Sequence, residues 1–185
     1  MPPYYANVSY GKHVRLHIKS GSIAQLQDTD SIVNYVYTDD IYGRCGIVEA
    51  AGDEVKKEYD AKRLQMVNSQ GAMVWTTKAG SLPYKAIFHV EVPKELPKFR
   101  NNVHAALKLA DRQCIKSIAF PAMKCTPENK QYIDRYLQVF YEFEERVNPV
   151  CLHMIDIIST SKEDRDYHEA KTTELGEGFA SCPVA

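Results

Sequence analysis

No stretch of this chain approaches the roughly 18 consecutive apolar residues that a membrane-spanning helix needs. The opening segment MPPYYANVSYGKH has no apolar core of the kind a secretory leader carries. The expectation is an intracellular protein, cytoplasmic or nuclear. No cysteine pair has CxxC or CxxH spacing, and the five cysteines (Cys45, Cys114, Cys125, Cys151, Cys182) are odd in number. Neither a disulfide framework nor a zinc site is expected, and three of the thiols, in or beside apolar runs, read as small buried apolar groups in a reducing compartment. Neither sign of charge is in excess: 23 Lys and Arg against 24 Asp and Glu leave a formal net charge of -1. That balance excludes a broad electrostatic pull toward nucleic acid or a membrane surface. Glycine is missing altogether from SIAFPAMKCTPENK, residues 117–130, where a buried strand runs into a helix start. Ligands of α/β proteins are commonly held at such a junction, on a glycine loop.

The 185 residues suit one domain, read as 1–165, followed by a polar tail, 166–185, whose last dozen residues are expected to lack order. HVRLHIKSG alternates, with Val14, Leu16 and Ile18 on one face and His13, Arg15, His17 and Lys19 on the other, which marks a half-covered strand. SIVNYVY (31–37) and SIAFPA (117–122) are near-continuous apolar runs of strands covered on both faces. AMVWTT (72–77), KAIFHVEV (85–92) and VCLHMIDII (150–158) complete the strands, and the first two flank a Gly- and Pro-bearing turn. Helical spacing covers 46–62, 101–113 and 126–147, the last opened by Thr126 as N-cap and Pro127 at its first position. The alternation predicts an α/β fold of three layers, α/β/α, around a central mixed sheet of about six strands.

Several residues invite chemical readings. His13 and His17 lie roughly 13 Å apart along a strand, too far to share a metal ion. Cys125 beside Lys124 at a helix start has the surroundings of a lowered thiol pKa, with His89 as a conceivable base, although a lone cysteine is more often inert. Asp39 and Asp40 are adjacent carboxylates in a polar loop, weak candidates for acid/base work and more commonly solvated surface. Gly43 and Gly46 bracket Arg44 ahead of a helix, where backbone N–H groups can meet an anion. VPKELPKFR (92–100) reads as a solvated connector or a partner-binding loop.

Taken in order, the segments resemble the macro domain family, ADP-ribose-binding α/β modules. SGSIAQLQDTDSIVN (20–34) is similar to the family's strand, Gly-Asp-Ile turn and following strand. EAAGDEVKKE (49–58) resembles the EAAGPEL helix of macro domains attached to poly-ADP-ribose polymerase-like proteins. GAMVWTTKAGSLPYKAIFHVEVP (71–93) and LKLADRQCIKSIAFPAM (107–123) match further family segments. The resemblance places Ser22, Ile23, Asn34, Tyr37, Gly43, Arg44, Cys45, Gly46, Ile47, Lys124, Cys125, Thr126 and Ile155 at the ligand. It implies no metal and no cofactor. ADP-ribose or an ADP-ribosylated protein becomes the expected partner, with another protein as the alternative.

The chain departs from the pattern at most of these contacts. Ser22 stands where the family has an acidic reader of adenine, and Tyr37 where many members have an asparagine for the distal ribose. YGRCG shortens the first phosphate loop, KCTPENK replaces the second, and Ile155 precedes Asp156 where an aromatic ring often meets adenine. The expected function is a binding or interaction module with weakened, altered or lost ADP-ribose recognition. The alternatives are a reader or hydrolase in which Arg44 and Lys124 compensate, with Asp39 or Asp40 as the only nearby acids, and a site that has changed to another nucleotide or anionic metabolite.

Overall fold

Strands that carry apolar side chains on both faces need a covering layer on each side, and the chain supplies two. The computed structural model describes residues 5–8, 14–67 and 71–180. His13 and Cys182 lie outside that range. In chain order the elements are β1 (Tyr5–Val8), β2 (Arg15–Ser20), β3 (Ser31–Tyr37), α1 (Ile47–Ala51), α2 (Asp53–Val67), β4 (Val74–Thr77) and β5 (Ala86–Val92). Then come α3 (Leu96–Arg112), β6 (Ser117–Pro121), α4 (Pro127–Val147), β7 (Met154–Ser159) and α5 (Lys162–Ala180). A single mixed sheet runs in the order β1-β2-β7-β6-β3-β5-β4. Its five inner strands are parallel and its two outer pairings, β1 with β2 and β4 with β5, antiparallel. The mixed sheet expected from the alternation is present, and β1 adds a strand at its edge.

Strand parity divides the core. Val33 and Tyr35 of β3, Phe88 and Val90 of β5, Phe120 of β6 and Ile155 and Ile157 of β7 pack under α3 and α4. Ile32, Ile87, Ala119 and Ile158 point the other way and meet α1, α2 and the 79–84 turn. Complete burial of an aromatic or branched side chain contributes about 1.5–3 kcal/mol. Phe88, Phe99, Phe120 and Phe143, all at 0% exposure, therefore make the α3/α4 side the stronger half.

Four expectations change. The helix read over 46–62 is two helices: Gly52 takes φ +100 and ends α1, so Asp53 begins α2 afresh. Residues 92–100 are not a connector throughout, because α3 starts at Leu96, with Pro97 tolerated in the first turn and Phe99 fully buried. Of the polar tail, residues 166–180 are helical, anchored by the buried His168 and Thr172. His168 accepts or donates through Nε2 to Tyr136 Oη and through Nδ1 to the Asp164 carbonyl at 2.6 Å, tying α5 to α4. Among the described cysteines none is buried: Cys45 and Cys114 are exposed, and Cys125 and Cys151 half-buried.

Candidate functional site

The carboxyl ends of β3, β6 and β7 converge on one side of the sheet, where an α/β fold most often holds a ligand. A cleft of about 380 Å3 lies there, within the usual range for small-molecule sites. Its floor includes Tyr35, Pro121 and Ile158, and its walls bring together Ser22, Ile23, Tyr37, Arg44, Cys45 and Lys124. Past Tyr37, Arg44, Lys124 and Asn129 it meets a broader groove of about 770 Å3, to which Asp39, Lys94, Thr126 and Tyr132 belong.

Each wall has a local cause. Gly21 N–H donates to the Ser159 carbonyl at 2.9 Å, and Ser22 caps a single turn, Ile23–Gln25, whose Ile23 carbonyl accepts from Tyr84 Oη at 2.6 Å. Farther along, Thr29 Oγ1 donates to the buried Asp156 carboxylate at 3.0 Å. Asp156 also meets Lys19 at 2.9 Å and His17 at 3.3 Å, so its charge is paired inside the fold.

The first loop is closed by reciprocal backbone bonds between Tyr37 and Asp40 and by Gly43 N–H donating to the Asp40 carbonyl at 3.2 Å. Beneath it the buried Asn34 donates from Nδ2 to the Tyr42 carbonyl at 2.8 Å and faces His89 Nδ1 at 3.3 Å. Nδ1 must then accept, and Nε2–H donates to Thr77 Oγ1 at 2.9 Å. Burial, with the Lys62 charge second, holds the His89 pKa down to about 3. His89 is a neutral structural group that does not line the cleft.

Arg44 emerges from this loop with its guanidinium 4.1 Å from the centre of the Tyr37 ring and 3.2 Å from an Asp39 carboxylate oxygen. Burial pushes the Tyr37 hydroxyl up to about 12, with Arg44 pulling the other way. The second loop is set by Ala122 N–H donating to the Ile158 carbonyl at 2.8 Å and Cys125 N–H donating to Asp164 Oδ1 at 2.7 Å. Thr126 does begin α4, though without a side-chain bond to the helix backbone.

The remaining expected residues stand elsewhere. Gly43 serves close packing rather than an anion: a Cβ there would fall 2.2 Å from Asn34 Oδ1. Gly46 begins a helix of five residues, and Ile47 is buried beneath it. Ile155 sits in the core between Leu16 and Ile118; at the cleft its strand presents Ile158. The thiolate reading of Cys125 is reversed, since burial and the neighbouring Asp164 and Glu163 push its pKa up. Asp39 is 76% exposed and engaged by Arg44, while Asp40 lines neither the cleft nor the groove.

Several cleft residues, Ile158 and Asp164 among them, are not singled out by the sequence, and Tyr35 is not among the residues it places at the ligand. Tyr35 shares a strand face with Tyr37, and that alternation was available in SIVNYVY. Tyr35 lines the cleft, and its hydroxyl is buried with no hydrogen-bond partner among the described residues. Asp164 comes from α5, beyond the last strand, and carries no motif. Among the described residues no group of three or more His, Cys, Asp or Glu is placed to hold a metal ion, and no helix is long and apolar enough to cross a membrane.

The model of the macro domain matches residues 44–129. An uncharacterized protein of Aquifex aeolicus is 32% identical over 157 residues, which cover 80% of this chain and 92% of that protein. A variant of the Oceanobacillus iheyensis macrodomain superposes with a TM-score of 0.77 at 22% identity, covering 96% of this chain and all of that one (100%). Another variant of the same protein, solved with ADPR, superposes at 0.75 with 21% identity and coverage of 95% and 99%.

Proposed function

The chain belongs to the macro domain family, and on that premise we propose that its cleft binds an ADP-ribose-type ligand, using side-chain cations where glycine loops ordinarily offer backbone amides. The observation that carries this reading is an open cleft walled by Arg44 and Lys124, lined also by Tyr35, whose buried hydroxyl has no protein partner among the described residues. An unsatisfied buried hydroxyl costs about 1–3 kcal/mol, and a ligand oxygen removes that cost. The ADPR-bound relative, with which this chain shares a fold, supports the ligand class. Arg44 and Lys124 then meet the diphosphate as mobile charges, and their hold weakens with salt more than that of buried amides. Recognition is weakened and altered rather than lost. Binding is favoured over hydrolysis because Asp39 is occupied by Arg44 in the outer groove, away from the cleft floor.

Titration calorimetry with ADP-ribose tests the proposal. At about 0.15 M salt the expected dissociation constant is on the order of tens of micromolar or weaker. Arg44→Ala and Lys124→Ala each weaken it by about tenfold, equivalent to ~1.4 kcal/mol. Tyr35→Phe weakens binding by a similar factor without lowering the melting temperature, because it removes a hydroxyl that no protein group among the described residues pairs with. Absence of binding at millimolar ligand, or binding indifferent to all three substitutions, contradicts the proposal.

A further inference from the structure

At the opposite end of the sheet from the cleft, two cysteines far apart in sequence meet at the surface. Cys114 follows the last turn of α3, and Cys151 lies in the connection from α4 to β7. Both thiols are free, and their sulfurs are 2.9 Å apart. Cys114 also adopts φ +55, at the left-handed position past a helix end that glycine or asparagine ordinarily fills. A cysteine held there against backbone preference points to a use for its side chain. The partner is positioned independently: Asp111 Oδ1 accepts from Cys151 N–H at 2.7 Å and from Leu152 N–H at 2.9 Å, clamping the loop onto the end of α3.

We propose that Cys114 and Cys151 are a redox modification site, closing reversibly into an intramolecular disulfide by exchange with a low-molecular-weight disulfide. The more exposed Cys114 reacts first. Its thiolate attacks one sulfur of the small disulfide, forming a mixed disulfide and releasing one small thiolate. Cys151 Sγ, deprotonated, then attacks Cys114 Sγ; the protein S–S bond forms as the mixed bond breaks and the second small thiolate leaves. Two protein thiols are oxidised, one small disulfide is reduced, and the two protons pass to the departing thiolates. Its hydrogen bond to Cys114 pushes the Cys151 thiol up, in keeping with Cys151 as the second reactant. The link spans a sequence separation of 37 residues and ties α3 to the segment leaving α4, so it restrains the unfolded chain while leaving the cleft untouched.

Incubation of the full chain with oxidised glutathione, followed by alkylation and peptide mass mapping, tests the site. The expected product is a dominant Cys114–Cys151 crosslink, reversed by dithiothreitol, with the melting temperature raised by about 5–10 °C and ADP-ribose affinity unchanged. Cys114→Gly, which suits φ +55, keeps the reduced melting temperature or raises it and abolishes both crosslink and gain. Persistent glutathione on Cys114 without closure, unreacted thiols at saturating oxidant, or crosslinks shared with Cys45 or Cys125 overturn the proposal. The affinity readout alone rests on the proposed ligand; the crosslink, its reversal and the melting temperature are independent of whether the cleft binds a nucleotide.

Discussion

Acidification from about pH 7 to about pH 4.5 lowers the stability of this protein by about 3 kcal/mol through one imidazole, His89. In the unfolded chain its reference pKa is 6.5, whereas in the fold burial and the nearby Lys62 charge hold it down to about 3. Between those values the unfolded state binds the extra proton, so the unfolded state gains as the pH falls. Full stability is present above about 6.5 and is lost progressively below it. The geometry gives the same sign. A proton on Nδ1 would turn an acceptor into a donor facing the Asn34 amide at 3.3 Å, with Nε2–H already committed to Thr77. Urea unfolding across this pH range checks the expectation. His89→Gln starts less stable near neutrality and shows a flatter slope; the slope that remains comes from other groups whose pKa values the fold lowers, His168 and His104 by burial and the carboxylates of Asp30, Glu58 and Asp111 by their hydrogen bonds. An unchanged slope in His89→Gln contradicts the assignment.

Gly43→Ala has the second large effect, on stability and on ligand binding together. Gly43 takes φ +88, and an added Cβ falls 2.2 Å from Asn34 Oδ1 and 2.6 Å from the Tyr35 carbonyl. Left-handed backbone costs a residue with a Cβ about 1–2 kcal/mol, and overpacking typically another 1–3. The sum, about 3 kcal/mol, corresponds to a fall of about 6–12 °C in melting temperature for a chain of this size. Because the contact is with the residue that holds Tyr42, relief by displacement carries Arg44 out of place and weakens ADP-ribose binding as well. Gly46→Ala is the internal control. Its φ of +61 carries backbone strain, but a Cβ there meets nothing within 4 Å, so its cost stays near 1 kcal/mol. Equal losses in the two variants would show that close packing beneath the loop is not what matters.

These two residues show how the chain's legibility divides. Strands β3, β5 and β6 were readable because alternation and apolar runs are local properties that burial on both faces produces directly. Thr126 and Pro127 marked the start of α4 for the same reason. Asn34 and Gly43 were readable as belonging to the site region but not in their roles. Whether a side chain on β3 reaches a ligand or props up a loop depends on what lies across the sheet, here His89 and Tyr42. Ile155 shows a register limit: the residues that reach the cleft are those at the strand's carboxyl end, which on β7 is Ile158, three residues farther along a strand that ends at Ser159. Asp164 was beyond reach because α5 is polar on most of its surface and its seat depends on His168 meeting Tyr136, a contact 32 positions apart in sequence.

The cleft and its two cations carry the functional account, and a crystal of the protein soaked with ADP-ribose tests them most directly. The account predicts a diphosphate between Arg44 and Lys124, with a ligand oxygen accepting from the Tyr35 hydroxyl and the glycine-free 122–126 loop contributing Lys124 rather than a row of amides. A nucleotide ordered elsewhere on the surface, or one in the cleft with neither cation within reach of its phosphates, would contradict it.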